Sequence, residues 1–138
     1  MDILDFYDSD IKYISFGKGG NYNIKIELAS PSAKILAPTP YKCDNAEAYG
    51  IARHFAELKS EYLFNDNATD TTLFGITADS PCVKIETATK TVELTLGSKV
   101  PVSSSLYLKK KDDPSIYIVP SHIKGSFEKT LEDLRDLL

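Results

Sequence analysis

Two histidines, two cysteines and a scatter of carboxylates are the side chains of this 138-residue chain from which acid–base, nucleophilic or metal chemistry would have to be built. Catalysis needs a nucleophile, a base and an orienting group brought together, or two carboxylates held in unlike environments. His54 has Ile51 and Leu58 at i-3 and i+4, which puts it on the flank of an apolar helical stripe, the place of a boundary histidine. His122 follows "VPS" ahead of the last helical region and reads as a surface residue near a cap. Cys43 and Cys82 are too far apart for a CxxC site, and a dyad or metal site with either histidine would need a tertiary meeting that the spacing does not encode. A single disulfide between them stays open, because sequence does not report their separation. Asp66, Asn67 and Asp70 resemble part of a calcium loop, but the glycine and closing glutamate of such a loop are absent. The spacing therefore designates no catalytic, cofactor-binding or metal-ligating residue.

Charge narrows the partners. The net charge is -4, whereas nucleic-acid binding relies on an excess of Lys and Arg on one face. The tight basic run Lys109 to Lys111 is followed at once by Asp112 and Asp113, and reads as a solvated strand end. The loop "GKGGN" lacks the GxxxxGK[ST] spacing of a phosphate cradle, and no helix follows it. Glu132, Asp133 and Asp136 fall away from the last apolar stripe as an ordinary solvated face. Tyr13, Tyr107 and Tyr117 lie on expected strands, where an exposed row would suit a protein partner or a glycan; the alternative is that they pack within and across the sheets. "NAT" at Asn67 matches a glycosylation sequon. No window approaches the length of apolar residues that a membrane span needs, and the first thirty residues lack the pattern of a signal peptide.

Around these residues the hydrophobic period alternates between sheet and helix. "IKYISF" and "YNIKIEL" flank the glycine loop as a hairpin, with Tyr22, Ile24, Ile26 and Leu28 expected on one face. A short strand near Ala33 to Ala37 ends at Pro38 and Pro40. Asp44 and Glu47 have the spacing of a capping pair, and Ala48, Ile51, Phe55 and Leu58 form the stripe of an amphipathic helix of about four turns. A strand near Tyr62 to Phe64 follows. "CVKIETATKTVELTLG" reads as a second hairpin, with Val83 and Ile85 opposing Val92, Leu94 and Leu96. "SLYLK" and "SIYIV" add two strands around "DDPS", and Phe127, Leu131, Leu134 and Leu138 return to helical period. The expected fold is one α+β domain over 1–138, with two antiparallel meander regions, loose halves 1–70 and 71–138, each followed by an amphipathic helix packed on a sheet.

Several segments, taken in order, resemble the bacterial family called domain of unknown function 4340: "DSDIKYISF", "KILAPTPYKCDNAEA", "LFGITADSP", "VELTLGSKVPVSSSLYLK", "SIYIVPSHI" and "LEDLRDLL". Members of that family commonly place tryptophan where this chain has Ala33 and tyrosine where it has Phe74. Any hydrogen bond made by that missing hydroxyl does not carry over. The resemblance implies an extracytoplasmic domain tethered by an N-terminal membrane helix upstream of this chain, encoded near ABC transporter components of the gliding-motility type. It offers no catalytic residues. The expectation is a non-enzymatic binding or assembly module with a protein partner at a membrane, no cofactor and no nucleic acid. The alternative is a small ligand-binding or enzymatic domain with a pocket between the two β regions, where His54, Lys99 or Asp70 would converge. A spacer repeated within a longer chain is a third reading.

The stretch "TTLFGITADSP" joins the halves. Asp70 is expected to cap one helical turn, Phe74 to pack, Gly75 to end the turn in the left-handed region, Ile76 to pack back, and Pro81 to fix the start of the next strand. Gly75→Ala should destabilise the fold by about 1 kcal/mol or more, because alanine disfavours positive φ. A thermal melt reads the effect, and an unchanged melting temperature would remove Gly75 from the joint.

Overall fold

A computed structural model describes residues 2–28, 32–60, 62–65 and 71–136 of the chain. Among them are nine strands: β1 (Ile11–Lys18), β2 (Asn21–Glu27), β3 (Lys34–Ala37), β4 (Tyr41–Lys42), β5 (Tyr62–Asn65), β6 (Pro81–Thr87), β7 (Thr91–Lys99), β8 (Leu106–Lys110) and β9 (Ile116–Val119). Three helices accompany them: α1 (Asn45–Ala56), α2 (Lys124–Phe127) and α3 (Leu131–Leu134). All strands join one sheet in the order β4-β3-β2-β1-β6-β7-β8-β9-β5, and every neighbouring pair is antiparallel. The protein is therefore mostly an antiparallel sheet with a few short helices.

The period-two pattern explains which face is covered. Ile14 pairs with Ile26 on one side and Ile85 on the other, Phe16 with Ile24 and Val83, and Val83 in turn with Leu94. These side chains are buried in one cluster with Ala48, Ile51 and Phe55 of α1, Phe127 of α2 and Leu134 of α3. The second hairpin keeps the expected register, with Val83 opposite Leu94 and Ile85 opposite Val92. Ala33 is fully buried in this cluster.

Helix α1 begins where the sequence pattern places it. The Asp44 carboxylate accepts the Glu47 N–H at 3.2 Å, satisfying one of the free donors of the first turn. The Glu47 side chain does not turn back to complete a capping box; it pairs with Lys129, and the Asp44 N–H donates instead to the Leu134 carbonyl at 2.8 Å. The helix is twelve residues long, nearer three turns than four.

The expectation of one closing helix is corrected. The closing segment is not one helix: α2 stops at Glu128, whose φ and ψ are -107° and 37°. Thr130 then restarts α3 with a capping box in which Thr130 and Asp133 satisfy each other's N–H groups. Local capping chemistry thus interrupts the Phe127, Leu131, Leu134 stripe. The two halves share this one sheet: β1 and β6 pair at its centre, and β5, from the first half, lies beside β9 at the far edge.

The opposite face of the sheet holds a second, smaller core of Phe74, Val100, Tyr107, Ile116 and Ile118, with Ile76 against it. The joint segment lies over it. Residues Thr71–Phe74 make a single 3-10 turn, closed by Gly75 N–H to the Thr72 carbonyl at 3.1 Å and Ile76 N–H to the Thr71 carbonyl at 3.2 Å. Gly75 has φ of 72°, and a Cβ there would lie 2.4 Å from the Ser98 Cβ. Phe74 meets Tyr107 edge-to-face at 5.1 Å, and its carbonyl accepts the Ser98 hydroxyl at 3.2 Å. Pro81 opens β6 opposite Lys18. The cap expected from Asp70 lies outside the described residues.

Gly50 lies inside α1 with nothing within 4 Å of the place a Cβ would occupy. Gly50→Ala should therefore raise stability by about 1 kcal/mol through helix propensity and a less flexible unfolded chain. Urea unfolding measures this, and a lower midpoint would contradict the open environment of that position.

Candidate functional site

Two grooves use the two faces of the sheet. The first, of about 730 Å³, lies between the turn end of the β1–β2 hairpin and the break separating α2 from α3. Phe16, Ile24, Phe127 and Leu131 form apolar walls, and Lys18, Asn21, Asn23 and Glu128 stand at its rim. The groove opens where the closing helix is interrupted, since the chain at Glu128 to Thr130 leaves helical geometry there. That wall is anchored to α1 by the Lys129–Glu47 ion pair, by His54 Nδ1 and Ser126 Oγ at 3.1 Å, and by Phe55 against Phe127 at 5.3 Å. His54 is thus a bridging surface residue between helices.

The second groove, of about 570 Å³, lies on the opposite face, between the Gly19–Gly20 turn, the Thr71–Ala78 segment and strands β7 and β8. Its polar centre is Tyr22, whose hydroxyl donates to Glu93 Oε1 at 2.8 Å while Lys111 Nζ reaches Glu93 Oε2 at 3.1 Å. The Lys84 ammonium stands 5.1 Å from the Tyr22 ring centre. Burial, and then the bond to Glu93, push the Tyr22 phenol far above its ordinary value. At Glu93 burial works upward, but the Tyr22 hydroxyl and the Lys111 ammonium hold the carboxyl below its usual range.

The sequence pattern places Tyr22 with Ile24 and Ile26 on the core face. A register shift corrects this, since Phe16 pairs with Ile24 but Gly17 pairs with Tyr22, which turns Tyr22 to the outer face. Nothing in the spacing singles out Glu93 or Lys111, and the bulge is the feature that turns Tyr22 toward them. The basic run is likewise not one solvated strand end. Lys109 donates to the Lys110 and Asp113 carbonyls at 3.1 and 2.7 Å, Lys110 to the Ile3 carbonyl at 3.1 Å, and Lys111 pairs with Glu93.

The tyrosines proposed as an exposed row do not form one. Tyr107 and Tyr117 are buried in different clusters on opposite faces. Burial and the Asp113 carboxylate, 2.6 Å away, push the Tyr117 phenol up to about 12. Tyr13 is half-buried, with the Lys25 ammonium 4.5 Å from its ring centre. Cys43 and Cys82 are both buried and free, so the disulfide left open by the spacing is not formed. Burial, with the Asp44 and Glu47 carboxylates, pushes the Cys43 thiol up to about 11, where it is a poor nucleophile. Cys82 accepts the Gly20 N–H at 3.3 Å. His122 is exposed in the turn Ser121–Ile123, and Lys99 is exposed at the end of β7, so neither they nor His54 line the second groove. Asp66, Asn67 and Asp70 lie outside the described residues. Among the described residues no three His, Cys, Asp or Glu side chains come together as metal ligands, and no helix is long and apolar enough to cross a membrane.

The family model described as Domain of unknown function (DUF4340) matches residues 34–137, well over half of the chain. No curated protein and no solved structure matches it.

The Tyr22–Glu93 bond has a pH signature. The lowered Glu93 pKa contributes stability above the ordinary value of 4.5 that is lost as pH falls through the folded value. The raised Tyr22 pKa contributes stability below the ordinary value of 10.0 that is lost as pH rises beyond it. Tyr22→Phe should cost about 1 to 2 kcal/mol at neutral pH. The gap between wild type and variant should close in acid and in strong alkali; a gap independent of pH would show that the phenol acts by packing alone.

Proposed function

We propose that this chain, which belongs to the DUF4340 family, is a non-enzymatic binding module that seats an apolar side chain of a partner protein in the groove beside the α2–α3 break. The observation supporting this is the groove itself, in which four apolar side chains face a concavity whose walls are held by ion pairing, ring contact and capping. A side chain that fills a well-packed, desolvated pocket is the usual anchor of a protein interface. In this reading the two meander regions, each with its helical segment on the sheet, are the scaffold. The module is the extracytoplasmic part of a protein anchored in a bacterial membrane, and its partner is a component of an ABC transporter. A second reading, a small-ligand domain with a pocket between the two β regions, draws on the polar groove over β7 and β8.

The test uses the full-length protein in its own membrane, with a photo-crosslinking residue at Asn23 on the groove rim. A crosslink to a transporter component, lost when Leu131→Glu places a charge in the wall while the melting temperature holds, is the expected result. Crosslinking unaffected by Leu131→Glu, or absent altogether, would overturn the reading.

A further inference from the structure

From the second groove we infer a binding site for a neutral, polyhydroxylated ligand, a saccharide, on the outer face of the sheet between Tyr22, Glu93, Lys111, Thr77 and Thr95. The inference is independent of the apolar groove, which lies on the other face.

Charge decides the ligand class. Glu93 accepts Tyr22 on one oxygen and Lys111 on the other, while the Lys109 ammonium is held by two backbone carbonyls. A bound anion, though drawn to Lys111, would have to lie against the Glu93 carboxylate, and a bound cation would have to lie against the Lys84, Lys109 and Lys111 ammoniums. A neutral ligand meets neither repulsion. Bonding capacity remains for it, because a carboxylate offers about four lone-pair directions and an ammonium three N–H donors, of which the Tyr22–Glu93–Lys111 chain uses a part. Thr77 and Thr95 line the same space; the Thr77 hydroxyl already accepts the Asp79 N–H at 3.2 Å and keeps its own O–H to donate, and a threonine hydroxyl such as that of Thr95 both donates and accepts. Adjacent hydroxyls of a sugar need this mixture of donors and acceptors within a few ångströms.

Shape agrees with the chemistry. On the turn side of the groove Gly19 packs against the Ala78 carbonyl, but the place of a Cβ on Gly20 is open, so a ring can approach the backbone there. Ile76 supplies an apolar surface for the C–H face of such a ring. The Lys111 side chain is 64% exposed, and a surface ion pair of this kind contributes little on its own, so the ammonium can shift toward a ligand without a large loss. The volume of about 570 Å³ accommodates one or two sugar rings.

The experiment is an amide NMR titration of the folded chain with chitotriose and maltotriose at millimolar concentration, with inorganic phosphate and tetramethylammonium as charged comparators. The expected result is saturable shifts of the Gly19, Gly20, Thr77 and Thr95 amides with a saccharide and none with either ion. Glu93→Gln should weaken that binding about tenfold, a change of about 1.4 kcal/mol. Thr95→Val, which keeps the side-chain volume, should weaken it severalfold without lowering the melting temperature. Groove amides that stay still with both saccharides, that respond to phosphate or tetramethylammonium instead, or that bind saccharide equally well in both variants would overturn the inference.

Discussion

The antiparallel pairing of β1 with β6 sets Ile14 against Ile85 and Phe16 against Val83, and both faces of the molecule are laid out from that ladder. On the core face it makes one continuous apolar surface from β3 to β9, wide enough for α1, α2 and α3 to lie on together. On the outer face it brings the glycine turn of the first hairpin beside the joint, where Gly19 N–H donates to the Ser80 carbonyl at 3.0 Å. Without that ladder the Tyr22 hydroxyl and the Glu93 carboxylate, which come from different hairpins, would have no reason to meet.

Much of the fold is legible in the residues because the signals are local. Val83, Ile85, Val92 and Leu94 alternate, and a two-stranded register follows from alternation and a turn. Asp44 three residues ahead of Glu47 starts a helix through one side-chain bond, which needs no tertiary partner. The misreadings are cases in which a nonlocal or competing local effect wins. Tyr22 continues the alternation of Ile24 and Ile26, yet a bulge beside Gly17 reverses it, and nothing in the spacing announces a bulge. The stripe from Phe127 to Leu134 is helical in period, yet Thr130 and Asp133 cap a new turn within it. The position of β5 at the far edge depends on β9, which no feature near Tyr62 specifies.

The candidate sites divide along the same line. The apolar groove is half legible, since Phe127 and Leu131 share a helical stripe in the sequence, but the cavity between them exists because the helix breaks. The polar groove is not legible from spacing, because its members come from the first hairpin and its turn, the joint segment, β7 and the end of β8. Tyr107 and Tyr117, separated by ten positions and both on strands, look equivalent in the sequence but face opposite layers, one under the joint and one under the helices. Phe74 is buried edge-on against Tyr107, an apolar contact that a phenylalanine serves without any hydroxyl partner.

The placement of β5 bears on how the chain acquires its structure. β5 leaves the ribosome well before β9, the strand it pairs with, and β1 likewise precedes β6. A nascent first half therefore carries two strands with bare hydrogen-bonding edges, which are templates for wrong pairing until the C-terminal residues arrive. Closing such nonlocal ladders requires long loops to be ordered before the contacts reward it, so the fold belongs with slowly forming, high-contact-order sheets. For a domain of this layout, the early strands keep bare edges until the last third of the chain has been made, and the time open to mispairing is correspondingly long.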